Sequence, residues 1–76
     1  MENQKFQLQG KALKMLRITH DLKALEAAEH IGISKQHFSN CEKGRRNLSV
    51  NKTRKFLELI GINEEEAKAF VQIIKN

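Results

Sequence analysis

The sequence predicts an all-α fold, a compact bundle of about five short helices, and three observations carry that prediction. Apolar residues recur at spacings of three and four, and no stretch sustains the alternation of a strand. Gly32, Gly44 and Gly61 each close an apolar-periodic segment, where a helix needs a left-handed residue, and proline is absent. At 76 residues the chain amounts to one domain (1–76) with a small core, too little for a cleft enzyme of the common sizes.

The first helix is expected over about 7–18, with Leu13 and Leu16 as core residues. His20-Asp21 breaks the pattern, and Asp21 can cap the second helix, whose inner face reads Leu25, Ala28 and Ile31 up to Gly32. After a very short turn Ser34 is a good N-cap for a third helix to about residue 43, with Phe38 and Cys41 inward and Gly44 at its end. The polar loop Arg45-Arg46-Asn47-Leu48-Ser49 precedes a fourth helix that turns Thr53, Phe56, Leu57 and Ile60 inward and stops at Gly61. Asn63 caps a fifth helix, about 64–75, whose first turn holds Glu64, Glu65 and Glu66 where the helix dipole favours carboxylates. This last helix carries an apolar stripe of Ala67, Phe70, Val71 and Ile74, expected in part to form a two-fold interface rather than only to close the core.

Composition narrows the function. A single cysteine excludes an intramolecular disulfide and fits a reducing, cytoplasmic setting. No segment approaches the length needed to cross a bilayer, and the opening Met-Glu-Asn-Gln-Lys run lacks the apolar stretch of an export signal, so a soluble protein is expected. The net charge of +5 and pI near 9.7 suit a polyanion. From Lys35 to Lys55 there are seven Lys or Arg against one acid, Glu42.

That basic third contains the functional signal. Two helices joined by a tight turn with Gly32 at its centre, the second presenting Lys35, Gln36, Ser39 and Asn40 outward, describe a helix-turn-helix over about 22–43. Glutamine and asparagine can pair with adenine in a bidentate way and lysine can reach guanine acceptors, whereas glutamate on that face would repel phosphate. A plain solvated helix face is the bland alternative. The turn, the flanking arginines and the missing carboxylates together favour DNA.

Other constellations are weaker. Phe38 and Cys41, three apart on the inner face, read as packing rather than as a reactive thiol. His37 and Cys41 stand at a spacing that can hold a metal, but His20 and His30 lie on other elements, so no metal site is expected. No nucleophile, base and orienting acid combine in a plausible pocket, and no glycine loop for a nucleotide is present, so neither an enzyme nor a cofactor is expected.

From Gly10 to Ile62 the sequence resembles the Cro/CI-type (XRE-like) helix-turn-helix family. The resemblance rests on Gly10, Leu13, Leu16-Arg17, Leu22, Glu26, Ala28, Ile31-Gly32-Ile33-Ser34, Ser39, Glu42-Lys43-Gly44, Arg46-Asn47, Ser49 and Gly61. It implies a partly buried ion pair between Arg17 and Glu42, which would account for the lone acid in the basic third. It also implies base contacts from Lys35, Gln36 and Asn40. Phosphate contacts are implied for Ser34, Lys43, Arg45 and Arg46, and are expected also of His37, Ser39 and Lys52. The family's Thr-Gln pair at the start of the second helix is here Lys23-Ala24, so the glutamine clamp on a phosphate is absent and Lys23 supplies charge in its place. The usual glycine between the first two helices is Asp21, which tolerates a left-handed conformation better than most residues.

These readings converge on a sequence-specific double-stranded DNA-binding transcriptional regulator. It is expected to act as a homodimeric repressor on a palindromic operator, of the phage, mobile-element or restriction-modification controller kind, with a regulatory protein as a possible partner. The alternative is a protein-binding adaptor or antitoxin built on a helix-turn-helix scaffold, marked by a stable protein complex without salt-sensitive DNA binding. An RNA-binding or nucleoid protein working by charge alone is a weaker rival, because exposed aromatics for base stacking are lacking.

Overall fold

The computed structural model describes residues 6–75. The run 1–5, on which the expectation against export rests, lies outside them, as does residue 76. Five helices follow in order, α1 (Gly10–Thr19), α2 (Ala24–Ile31), α3 (Lys35–Glu42), α4 (Val50–Ile60) and α5 (Glu64–Lys75), with no strand among the described residues. The fold is all-α, as the periodicity predicts. α1 packs on α3 and α5, and α2 packs on α3 and α4. No helix of the described residues is long and apolar enough to cross a membrane.

The first helix begins later than the apolar spacing predicts. Residues 6–9 are not helical, with Gln9 extended at φ −162°. Along this segment Phe6 and Leu8 turn inward while Gln7 and Gln9 stay exposed. Leu8 is 1% exposed, and both of its backbone groups reach other elements: its N–H donates to Thr53 Oγ1 at 3.2 Å, and its carbonyl accepts from the Leu48 N–H at 3.1 Å. A helix through Leu8 would forgo these bonds. Lys68 of α5 lies over the Phe6 ring, 5.8 Å from its centroid, and fixes the outer end of the segment.

The turn between α1 and α2 also departs from expectation. Asp21 does not cap α2. It sits at φ 57°, with the Asp21 N–H donating to the Ile18 carbonyl and the Leu22 N–H to the Arg17 carbonyl, the pattern that ends a helix in a left-handed residue. The N-cap of α2 is Lys23, whose N–H donates to Glu26 Oε1 at 2.9 Å. Aspartate is among the few side-chain-bearing residues that tolerate φ > 0, so Asp21→Val, at this exposed site, is expected to cost roughly 1–2 kcal/mol while Asp21→Gly is tolerated. Urea midpoints for the two variants check this; equal stability would remove the backbone argument.

The inner face of α2 is Ala27, Ala28 and Ile31, all fully buried, with Ala24 packed at the edge. Leu25, expected inward, falls one position off that set and is 48% exposed. Gly32 closes α2 at φ 81° and Asn63 caps α5, as the sequence reads, with Asn63 and Glu66 bonded reciprocally at 2.8 and 3.0 Å. Ser49, read only as part of the loop, caps α4, its Oγ accepting from the Lys52 N–H. Phe38 and Phe56 meet at the centre with ring centroids 6.2 Å apart, surrounded by Leu13, Leu16, Ile31 and Leu48.

Candidate nucleic-acid interface

The interface is built around α3. Ser34 Oγ accepts from the His37 N–H at 3.0 Å and starts the helix, and the Gly32 turn before it sets its angle to α2. Phe38 and Cys41 are wholly buried, three residues apart, and fix the rotation of α3 about its axis. Burial pushes the Cys41 thiol above its usual range, against the opposing pull of Arg46, so it packs as a protonated core residue. With that face inward, Lys35 and Gln36 are exposed, and His37, Ser39 and Asn40 are half-buried. Gln36 and Asn40, and likewise Lys35, Ser39 and Lys43, follow the four-residue spacing that aligns side chains along one face.

Glu42, the single carboxylate on α3, is withdrawn from that face. Arg17 Nε donates to Glu42 Oε2 at 2.6 Å and Nη2 to Oε1 at 3.4 Å, while Nη1 donates to the Leu22 carbonyl at 2.8 Å. Both side chains are largely buried, 14% and 10% exposed. The guanidinium thus joins α1, the turn before α2 and the end of α3, and it neutralises the acid with a two-pronged geometry only arginine offers. Cations remain around the helix: Lys43, Arg45 and Arg46 are exposed beyond its C-terminus.

Lys52, in the first turn of α4, approaches the same turn from the other side. Its Nζ lies 3.3 Å from where a Cβ on Gly32 would stand, so Gly32 serves both the left-handed turn and the close approach of this ammonium. Lys23 is exposed at the start of α2, but the Glu26 carboxylate already occupies the Lys23 N–H. That helix end therefore presents a lysine beside a carboxylate. Among the described residues no group of three His, Cys, Asp or Glu side chains comes together as a metal site.

A family model for a helix-turn-helix domain matches residues 10–70 of the chain. The chain belongs to that helix-turn-helix family. The match covers α1 to α4 and the first part of α5, and it agrees with the Cro/CI-type resemblance of the sequence. Neither a curated protein nor a solved structure matched the chain. In helix-turn-helix domains the second helix of the motif is the one that enters the major groove, and α3 holds that position in the order of helices here.

The sequence-predicted residues of this helix-turn-helix fall into three groups. Lys35, Gln36, Ser39, Asn40 and Lys43 share the outer side of α3, with Ser34 and His37 at its start. Arg45 and Arg46 lie on the adjoining loop, and Lys52 and Lys23 flank the Gly32 turn and the start of α2. Phe70, Val71 and Ile74 are half-buried on α5, and Phe70 and Val71 pack on the core. Sequence reasoning missed Leu8 and the apolar Ile73, which is 71% exposed.

Proposed function

We propose that this helix-turn-helix domain is a sequence-specific regulator of transcription that binds double-stranded DNA, with residues 1–76 acting as one DNA-binding unit in the cytoplasm. It works by binding, without catalysis and without a cofactor. The observation that carries the reading is the outer side of α3, where Lys35, Gln36 and Asn40 stand together while Arg17 holds the only carboxylate of that helix. Lys35, Gln36 and Asn40 read base edges. Ser34, His37, Ser39, Lys43, Arg45, Arg46, Lys52 and, less rigidly, Lys23 meet phosphates. A protein of this kind acts as a repressor when its site overlaps a promoter, with its level or a protein partner setting occupancy.

The reading includes a homodimer on a palindromic site. It is supported by α5, where Val71 and Ile74 line an open groove of about 540 Å³ together with residues 6–12 and Gly44, and where Ile73 stands exposed beside them. The interface is accordingly Val71, Ile73 and Ile74, with the outer part of Phe70. Ile73→Glu leaves the core untouched, so it is expected to give a folded monomer with weakened operator binding. Sedimentation of wild type and variant, free and on DNA, checks this; a wild type that stays monomeric on its site would remove the dimer from the proposal.

The function is tested by selecting bound duplexes from a random pool. A recurrent motif of two inverted half-sites about one helical turn apart is the expected result. A pool that remains random, bound with a steep salt dependence, would show binding by charge alone.

A further inference from the structure

We infer that residues 6–9 serve as a brace for the phosphate-facing loop between α3 and α4, with the Thr53 hydroxyl as its anchor. This role rests on the reading of Arg45 and Arg46 as phosphate contacts. The loop is tied at both ends and bare at its middle. At one end the Arg45 N–H donates to the Asn40 carbonyl at 3.0 Å. At the other, the Leu48 N–H donates to the Leu8 carbonyl at 3.1 Å, and the Leu48 side chain is fully buried. Arg46 and Asn47 span the interval, both exposed. The position of Arg46 therefore depends on where Leu48 is held, and Leu48 is held by Leu8.

Leu8 is placed in turn by Thr53. The threonine is 2% exposed, the one buried polar residue of the described core, and its Oγ1 accepts from the Leu8 N–H across 45 positions of sequence. Without that acceptor the Leu8 N–H would be buried and unpaired, a state that drives a backbone segment to shift toward water. Thr53 itself is fixed in α4, where its N–H donates to the Ser49 carbonyl at 2.8 Å. One hydroxyl thus aligns the extended segment with α4, and the segment aligns the loop. Thr53 touches no DNA in this scheme and is a positioning residue.

The experiment compares Thr53→Val, which keeps the shape and removes the acceptor, with Thr53→Ser, which keeps the acceptor, and with Arg46→Ala as the reference for the loop. The readout is affinity for random duplex at several salt concentrations. Arg46→Ala is expected to weaken binding and lower the salt slope by about one unit. Thr53→Val is expected to weaken binding about fivefold, which corresponds to about 1 kcal/mol, with the slope lowered in the same direction, and Thr53→Ser to restore both. If Arg46→Ala weakens binding and a folded Thr53→Val does not, the brace is refuted while the phosphate reading stands. If Arg46→Ala changes nothing, the phosphate reading of the loop fails and the brace loses its function with it. Amide exchange on the wild-type protein supplies a measurement that needs no variant. The Leu8 and Leu48 amides are expected to be protected in the free protein and more so on DNA, and exchange of both as fast as Arg46 would overturn the inference.

Discussion

Arg17→Ala is expected to lower the stability of the domain by roughly 3–5 kcal/mol, the range for removing one partner of a buried ion pair. Two losses combine. Glu42, 10% exposed in the intact pair, would lose its cation, and the Leu22 carbonyl would lose the donor that fixes the turn before α2. In a domain of this size a loss of that order moves the thermal midpoint by more than about 10 °C. Arg17→Lys should recover only part of it, because an ammonium cannot bond both carboxylate oxygens and the Leu22 carbonyl in the fixed fork of a guanidinium. Glu42→Gln is the complementary test, retaining an oxygen acceptor while removing the charge. A midpoint for Arg17→Ala within a degree or two of wild type would show that the contact carries no stability.

Gln36→Ala is expected to relax base preference at one symmetric pair of operator positions by roughly 1–3 kcal/mol, about five- to 150-fold, and to leave the salt slope nearly unchanged. The reason is position. Gln36 is exposed in the first turn of α3, Asn40 stands one turn further along, and the single carboxylate of that helix, Glu42, is held by Arg17. A side chain that reads a base edge contributes discrimination, whereas Arg46, on the loop, contributes to all sequences alike. Affinities for the selected operator, for its single-base variants and for random duplex separate the two behaviours. If Gln36→Ala ranks every variant in the wild-type order, α3 does not read bases through this residue.

Most of the helical framework was legible in the sequence because its signals are local. Ser34, Asn63, Gly32 and Gly61 each act within a few residues of themselves, and each stands where its chemistry places it. Phe38 and Cys41 gave the rotation of α3, from which the outward position of Gln36 follows. What was misread required distant partners. Phe6-Gln7-Leu8-Gln9 does carry a period of two, but four residues are too few to outweigh the helical pattern beside them, and the bonds that hold Leu8 extended come from Leu48 and Thr53. Asp21 offered two roles, N-cap or left-handed turn, and the closing bonds of α1 to Ile18 and Arg17 decided between them. Leu25 was misread because Ala28 and Ile31 fit a face that runs through either Leu25 or Ala24 and Ala27, and packing selected the alanines. The pairing of Arg17 with Glu42 was available only through the family resemblance, because no local pattern connects residues 25 apart.

The pairing of Leu8 with Thr53 also has a kinetic side. Every helix of the described chain can form from neighbours in sequence, but this bond closes a loop of 45 residues, and a long closure carries an entropy cost that is recovered only once α4 is in place. The segment 6–9 is therefore expected to dock after the folding barrier has been crossed. Weakening its attachment should speed unfolding and leave the folding rate almost unchanged, the signature of a contact absent from the transition state. The lifetime of the folded domain is then set in good part by four residues that belong to no helix.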